Sequence, residues 1–292
     1  MKADARARWL PTLALVLNAL IWGVSWWPFR QLAAQGLHPL WATAMIYVLA
    51  LLAITLWRRG AWGELLRTRS LWLLVLASGT TNAAFNWGVT VGDVVRVVLL
   101  FYLMPLWAVL LARLLLKEAL TLSALLRVVM ALAGAATVLW PHSATGGGLP
   151  LPRTLPEWLG VIGGFTFALN NVLLRREAHQ PEAARALAMF AGGAVVSAVL
   201  ALSLHASVPL PPAPTWGWLA GALLMGAAFL GGNLALQYGA SRLPANVTAV
   251  VMITEVLFAA GSAVLLGAGQ LTPALCVGGA LIVGATLLAG QH

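Results

Sequence analysis

Apolar runs of about twenty residues, separated by short segments carrying arginine, glycine or proline, recur along the whole chain. Cut at those breaks, the pattern predicts ten helical spans, at about 10–29, 39–57, 71–91, 94–116, 122–140, 158–174, 184–205, 216–238, 245–267 and 273–290. Runs of this length match a hydrocarbon core roughly 30 Å thick. The longest connection runs from Pro141 to Glu157, and its Gly146, Gly147, Gly148, Pro150, Pro152 and Pro156 argue against a helix there. The expected organisation is a first five-helix repeat over 1–141, a connecting loop over 142–157 and a second five-helix repeat over 158–292.

Composition agrees with lipid as the main solvent, since 61% of the 292 residues are hydrophobic and 9% are charged. A net charge of +9 would suggest a nucleic-acid partner in a soluble protein, but these charges lie almost wholly in or beside the short segments between spans. They read instead as topology signals. With the N-terminus cytoplasmic, that side holds 14 of the 17 lysines and arginines, leaving only Arg30, Arg96 and Arg153 opposite. Both termini are then cytoplasmic, and the two sets of five spans enter the membrane in opposite senses. The basic stretch Met1 to Arg8 leads into an apolar run that continues to Phe29 without a small-residue cleavage site, so it reads as a span and not a signal peptide. The single cysteine, Cys276, supports neither a disulfide nor a thiolate metal site.

The halves read as copies. A shift of 151 positions lays Asn82, Asn86 and Gly88 over Asn233, Gln237 and Gly239, and a shift of 145 lays Trp22 to Arg30 over Phe167 to Arg175. Repeats of inverted topology are a mark of secondary transporters, in which one body rocks against another around a site at the bilayer midplane.

Polar groups within apolar spans are costly and ask for a partner or a purpose. Asn82 and Asn86 share a helix face, as do Asn233 and Gln237, which suggests a common cavity; helix-to-helix hydrogen bonding is the alternative for each. Asn18, Asn170 and Asn171 are weaker cases of the same kind. Glu255 is the one carboxylate deep in a span, either a ligand for a substrate ammonium or coupling proton, or a neutral structural group. Seven of the 14 tryptophans fall at span ends, where aromatic belts belong. Trp22, Tyr102 and Trp107 lie deeper, and Phe85, Trp87 and Phe165 lie near the amides. An aromatic pocket with a few converging polar groups suits a small amphipathic substrate. The expected substrate-binding set is therefore Trp22, Asn82, Phe85, Asn86, Tyr102, Trp107, Phe165, Asn171, Asn233, Gln237 and Glu255. Pro28 and Pro105 are expected to act as kinks or hinges, and Asp93 with Arg96 as a local ion pair or helix cap. Glycines at helical spacing, such as Gly160, Gly163 and Gly164 or Gly278, Gly279 and Gly284, read as close-packing contacts.

The chain resembles the EamA-type members of the drug/metabolite transporter superfamily. Leu20-Ile21-Trp22-Gly23, Leu103-Met104-Pro105, Lys117-Glu118-Ala119-Leu120-Thr121 and Ile253-Thr254-Glu255-Val256 carry the resemblance, which extends over essentially the whole chain. Two departures are Gly269, where the family has glutamate, and Val256, where a proline often follows the glutamate. The resemblance implies a multi-pass protein of the bacterial inner membrane, and its nearest form is the YddG-type exporter of aromatic amino acids. Its partners would be a small-molecule substrate and the lipid bilayer, with no nucleic acid and no cofactor; a monomer is compatible with this. An enzyme is not expected, because all five histidines fall at loops or span ends and no HExxH, GxSxG or GxxxxGK[ST] pattern occurs. A carrier for another metabolite or drug class, a passive channel and a lipid flippase remain the alternatives.

Overall fold

The computed structural model describes residues 2–117, 121–139, 151–240, 242, 251–252 and 254–289. Among these the chain is helical, with no strand. We label the helices α1 (Lys2–Val24), α2 (Trp26–Ala34), α3 (Pro39–Trp57), α4 (Ala61–Arg67), α5 (Arg69–Val91), α6 (Val94–Phe101) and α7 (Met104–Leu116). They are followed by α8 (Leu122–Leu139), α9 (Leu155–Arg176), α10 (Glu182–Ser203), α11 (Trp216–Ala240), α12 (Thr254–Leu265) and α13 (Pro273–Ala289).

Among the described residues, six stretches are long and apolar enough to cross a membrane, namely Trp9–Ala34, Pro39–Trp57, Val94–Leu115, Leu155–Arg176, Glu182–Ser203 and Trp216–Leu236. Shorter apolar helices occupy Ala124–Leu139, Thr254–Leu265 and Pro273–Ala285. Helix α5 is long enough but too polar to join the six, with Ser78, Thr81, Asn82, Asn86 and Thr90 all buried along it. Its position explains this. It packs against α3, α9 and α10, so its polar face meets protein and not lipid. Outward leucines such as Leu13 and Leu17 on α1 or Leu223 and Leu224 on α11 present the complementary apolar surface.

Two of the expected spans are broken, and proline explains both breaks. A proline lacks the N–H that would reach the carbonyl four residues earlier. Pro28 withdraws the bond to Val24, the last residue of α1, and Pro105 withdraws the bond to Phe101, the last residue of α6. Ser25 repairs part of the first break by donating its hydroxyl to the Trp22 carbonyl at 2.8 Å.

Boundaries otherwise follow the apolar pattern closely, with two corrections. Pro156 was expected to exclude a helix, yet α9 begins at Leu155 with Pro156 in its first turn, where no intrahelical N–H bond is lost. Glu157 closes that end as part of a capping box, accepting from Thr154 N at 3.1 Å and Arg153 N at 2.7 Å. The connection between α3 and α5 is also not bare loop, because α4 folds there with Ala61 and Leu65 buried against α5 and α10. The glycine-rich part of the long loop, 140–150, the motif residue Glu118, and positions 243–250 and 253 lie outside the described residues.

Helices of the first half pack mainly on helices of the second. The closest partners are α5 with α9 and α10, α3 with α10, α1 with α11 and α12, and α8 with α13. Glycines set the closest approaches. A methyl group on Gly134 would stand 2.7 Å from the Gly278 carbonyl, and one on Gly278 would stand 2.8 Å from the Gly134 carbonyl. Gly79 and Gly192 form a similar reciprocal contact between α5 and α10. Gly160, Gly163, Gly164, Gly279 and Gly284 also face neighbouring helices, as expected of close-packing glycines. Gly192→Ala would push a methyl group against the Val75 carbonyl and should cost about 1–3 kcal/mol by overpacking. Gly231, with nothing within 4 Å, should tolerate alanine or gain up to about 1 kcal/mol in helix propensity. Thermal unfolding followed by size-exclusion fluorescence separates the two; equal melting temperatures would contradict the packing described.

Candidate functional site

A cavity of about 410 Å³ lies at the middle of the helix bundle. Asn18 and Trp22 reach it from α1, Tyr47 from α3, and Ser78, Thr81, Asn82 and Phe85 from α5. The broken span contributes Phe101, Tyr102 and Met104, while α9 adds Phe167, Asn170 and Asn171. Met189 and Phe190 of α10, Phe229, Asn233 and Leu236 of α11, Met252, and Glu255 of α12 complete the wall.

The break between α6 and α7 is what turns Tyr102 inward. Its hydroxyl donates to Glu255 Oε2 at 3.2 Å, the one hydrogen bond to that carboxylate among the described residues. Asn82 is fixed on both sides: its Nδ2 donates to the Ser78 carbonyl at 2.8 Å, and its Oδ1 accepts from the Tyr47 hydroxyl. Thr81 bridges α5 to α9 by donating to Thr166 Oγ1 at 2.9 Å. The apolar wall is a set of interlocked rings. Trp22 stacks on Phe229 with centroids 4.5 Å apart and planes 14° apart, and meets the edge of Phe85 at 6.4 Å. Phe101 links Phe85 at 4.8 Å to Phe167 at 5.3 Å. Rings packed on one another hold their shape, so the cavity is largely preformed.

Of the residues expected from the sequence, Trp22, Asn82, Phe85, Tyr102, Asn171, Asn233 and Glu255 lie in this wall. Asn86 lies elsewhere, fully buried, with its Nδ2 donating to Thr43 Oγ1 at 3.1 Å between α5 and α3. Trp107 and Phe165 pair edge to face at 5.5 Å outside the cavity, with Phe165 partly exposed on the α9 surface. The side chain of Gln237 lies outside the described residues. Sequence reasoning did not include Tyr47, Phe101, Phe167, Phe190 or Phe229. Phe167 was findable, because the 145-residue shift makes it the image of Trp22.

Two further hollows flank the chamber. One, of about 690 Å³, is bounded by Ala53, Ile54 and Trp57 of α3, by α4, and by the near ends of α10 and α11, with Arg58, Glu64 and Glu182 at its rim. It shares Phe190 and Asn233 with the central cavity, so the two adjoin through these side chains. The other, of about 500 Å³, contains Arg30, Asp93, Arg96 and the turn Gly267 to Gln270, and has no wall residue in common with the chamber.

Polar contacts tie the second end together. Trp26 Nε1 donates to Ser262 Oγ at 2.9 Å, and Arg30 donates to the Thr90 carbonyl at 3.0 Å and to that of Gly92, capping α5. Asp93 caps α6 by accepting from Arg96 N at 2.8 Å, as one of the two readings anticipated. The ion pair forms with a different partner, Arg96 Nε lying 2.8 Å from Glu157 Oε1.

Fold and chamber together define a polytopic helical membrane protein with an internal site large enough for a small molecule. Residues 9–140 match the EamA-like transporter family. A solved crystal structure of a protein is similar along the chain, at 21% identity and a TM-score of 0.58, covering 96% of this chain and 96% of its own. At that identity the likeness concerns the fold alone. No curated protein matches the sequence.

Asn86→Ala should remove only the bond to Thr43, at a cost near 0.6 kcal/mol, about the average for interhelical hydrogen bonds in membranes. Ligand affinity should not change in that variant, whereas Asn82→Ala should weaken it; equilibrium binding to both purified variants checks the contrast.

Proposed function

We propose that this chain is a secondary transporter of the EamA type that exports small amphipathic metabolites by alternating access. The observation that carries the reading is the midplane chamber, whose volume of about 410 Å³ falls in the usual range for small-molecule sites and whose wall joins amides to aromatic rings. Aromatic and other hydrophobic amino acids are the favoured cargo. The Trp22–Phe229 stack offers a flat surface for a ring, and the resemblance to aromatic amino acid exporters points the same way. We read the site residues as those of the wall, with the breaks at Pro28 and Pro105 as its hinges.

The reading includes ten spans in two inverted sets of five, in a bacterial inner membrane with both termini cytoplasmic. Three repeat-related pairs support the inversion: Trp22 with Phe167, Asn82 with Asn233, and Phe101 with Met252 all meet at the one chamber. Packing supports it too, since α5 on α9 has a counterpart in α11 on α1, while α3 on α10 and α8 on α13 are each their own counterparts. The arginine-rich end carrying Arg58 then faces the cytoplasm, and the chamber adjoins the hollow on that side. This arrangement corresponds to a cargo-loading state, with the contacts of Trp26, Arg30 and Arg96 closing the outer end.

Purified protein in proteoliposomes should take up labelled phenylalanine or tryptophan saturably, and Trp22→Ala should reduce the rate by roughly tenfold or more, the scale of losing a buried aromatic anchor. Imposing a proton gradient separates coupled from facilitated transport. Flux that never saturates, or current steps in a planar bilayer, would favour a channel.

A further inference from the structure

We propose that the chamber selects its ligand by a cationic nitrogen, so that arylalkyl amines are ligands in their own right and a carboxylate on the ligand is dispensable. The inference rests on the transporter reading only for its consequence, export; the binding claim stands on the chamber alone. Among the described residues of the wall there is no lysine, arginine or histidine, and Glu255 is the only ionisable acid other than the two tyrosines. An anionic group entering this chamber would find amides but no formal positive charge among the described residues, and would disfavour ionisation of Glu255. A cation would find that carboxylate directly.

The surroundings of Glu255 fit such a role. Tyr102 donates to Oε2, which orients the group, and no salt bridge engages it among the described residues. Its helix is pressed onto α1 at Gly23, where a methyl group would stand 2.8 Å from the Glu255 carbonyl, so the main chain that carries the carboxylate is held beside Trp22. Tyr102 touches it, and the rings of Trp22, Phe85, Phe101 and Phe229 line the same chamber. Aromatic faces attract cations through their quadrupoles, most strongly when water is excluded. One acid within an aromatic cage is thus complementary to a protonated amine on an aryl or alkyl body. The amides of Asn82 do not reverse this preference, because Ser78 and Tyr47 already engage both ends of that side chain.

Equilibrium binding to the full chain in lipid nanodiscs, followed by intrinsic tryptophan fluorescence, tests the inference with four probes of one shape. They are 2-phenylethylamine as cation, phenylalanine as zwitterion, 2-phenylethanol as neutral and 3-phenylpropionate as anion. The amine should bind at least as tightly as phenylalanine and roughly tenfold or more tighter than the alcohol, as a charge-assisted contact requires. The anion should bind most weakly. Glu255→Gln should remove the preference of the amine over the alcohol while leaving alcohol binding within about twofold. Tyr102→Phe, which keeps the ring, should reduce the preference only in part, and it decides the matter if the glutamine variant fails to fold. An amine no better than the alcohol, or a propionate equal to phenylalanine, overturns the inference. Amine binding without flux in proteoliposomes leaves it standing and sinks the transporter reading; amino acid flux without amine binding does the reverse.

Discussion

Within a bilayer every backbone N–H and C=O must find its partner inside the protein, and that constraint governs this molecule. Helices meet it automatically, so the informative places are those where a helix stops at membrane depth. Among the described residues there are two, after Val24 and after Phe101, each four residues before a proline. Such a break is tolerable only where protein covers it, and here it does: Ser25, Tyr102 and Leu103 are all nearly inaccessible. Covering the break fixes what the chain can do next. Because the helix turns at Tyr102, the phenol points into the chamber and meets Glu255, so the pair that dominates the chamber's electrostatics follows from Pro105.

A second consequence concerns the distribution of polar side chains. Helix α5 carries the densest set, and it is the helix most completely wrapped by others. Some of these groups serve packing and some serve the chamber, and the distinction is one of position along the helix. Asn82 and Asn86 lie one turn apart and both meet α3, yet Asn82, held by Tyr47, lies at the chamber wall, while Asn86, held by Thr43 one turn away on α3, lies outside it. One helical turn suffices to separate a wall residue from a structural one.

That separation marks the limit of what the sequence discloses. The apolar runs located the helices to within a few residues, because the hydrophobic demand of lipid is written into every position. The α3 boundaries, 39–57, were legible outright. Glu255, Trp22 and Asn82 were legible as anomalies, since each is costly or unusual where it stands. Tyr47, Phe190 and Phe229 were not, because an aromatic residue in an apolar run looks the same whether it faces lipid or a cavity. Trp107 and Phe165 show the converse, deep in sequence yet paired with each other away from the chamber. Pro156 was misread for a different reason: a proline forbids a helix interior but suits a first turn, and only the capping residues Thr154 and Glu157 decide which it occupies.

The packing also changes what can move. The proposed repeats would suggest two bodies that correspond to 1–141 and 158–292, but the tightest crossings join one half to the other. The glycine contacts Gly79–Gly192 and Gly134–Gly278 leave no room for sliding, so α5 must travel with α10, and α8 with α13. In the proposed rocking cycle the two bodies would therefore be mixed. One contains α3, α4, α5, α9 and α10; the other contains α1, α11 and α12, with α8 and α13 beside them. The hollow next to the chamber runs along the seam between these groups, bounded by α3, α4 and α10 on one side and by Leu230, Asn233 and Leu234 of α11 on the other. Arg30, on α2, reaches across to the end of α5, and the ring of Trp26 lies 5.1 Å from its guanidinium. The segment that joins the bodies at the closed end is thus α2, the short helix that Pro28 sets free from α1. For the proposed rocking cycle, α2 is then the candidate hinge, released from α1 where Pro28 lacks an N–H, and the hollow beside α11 the candidate seam.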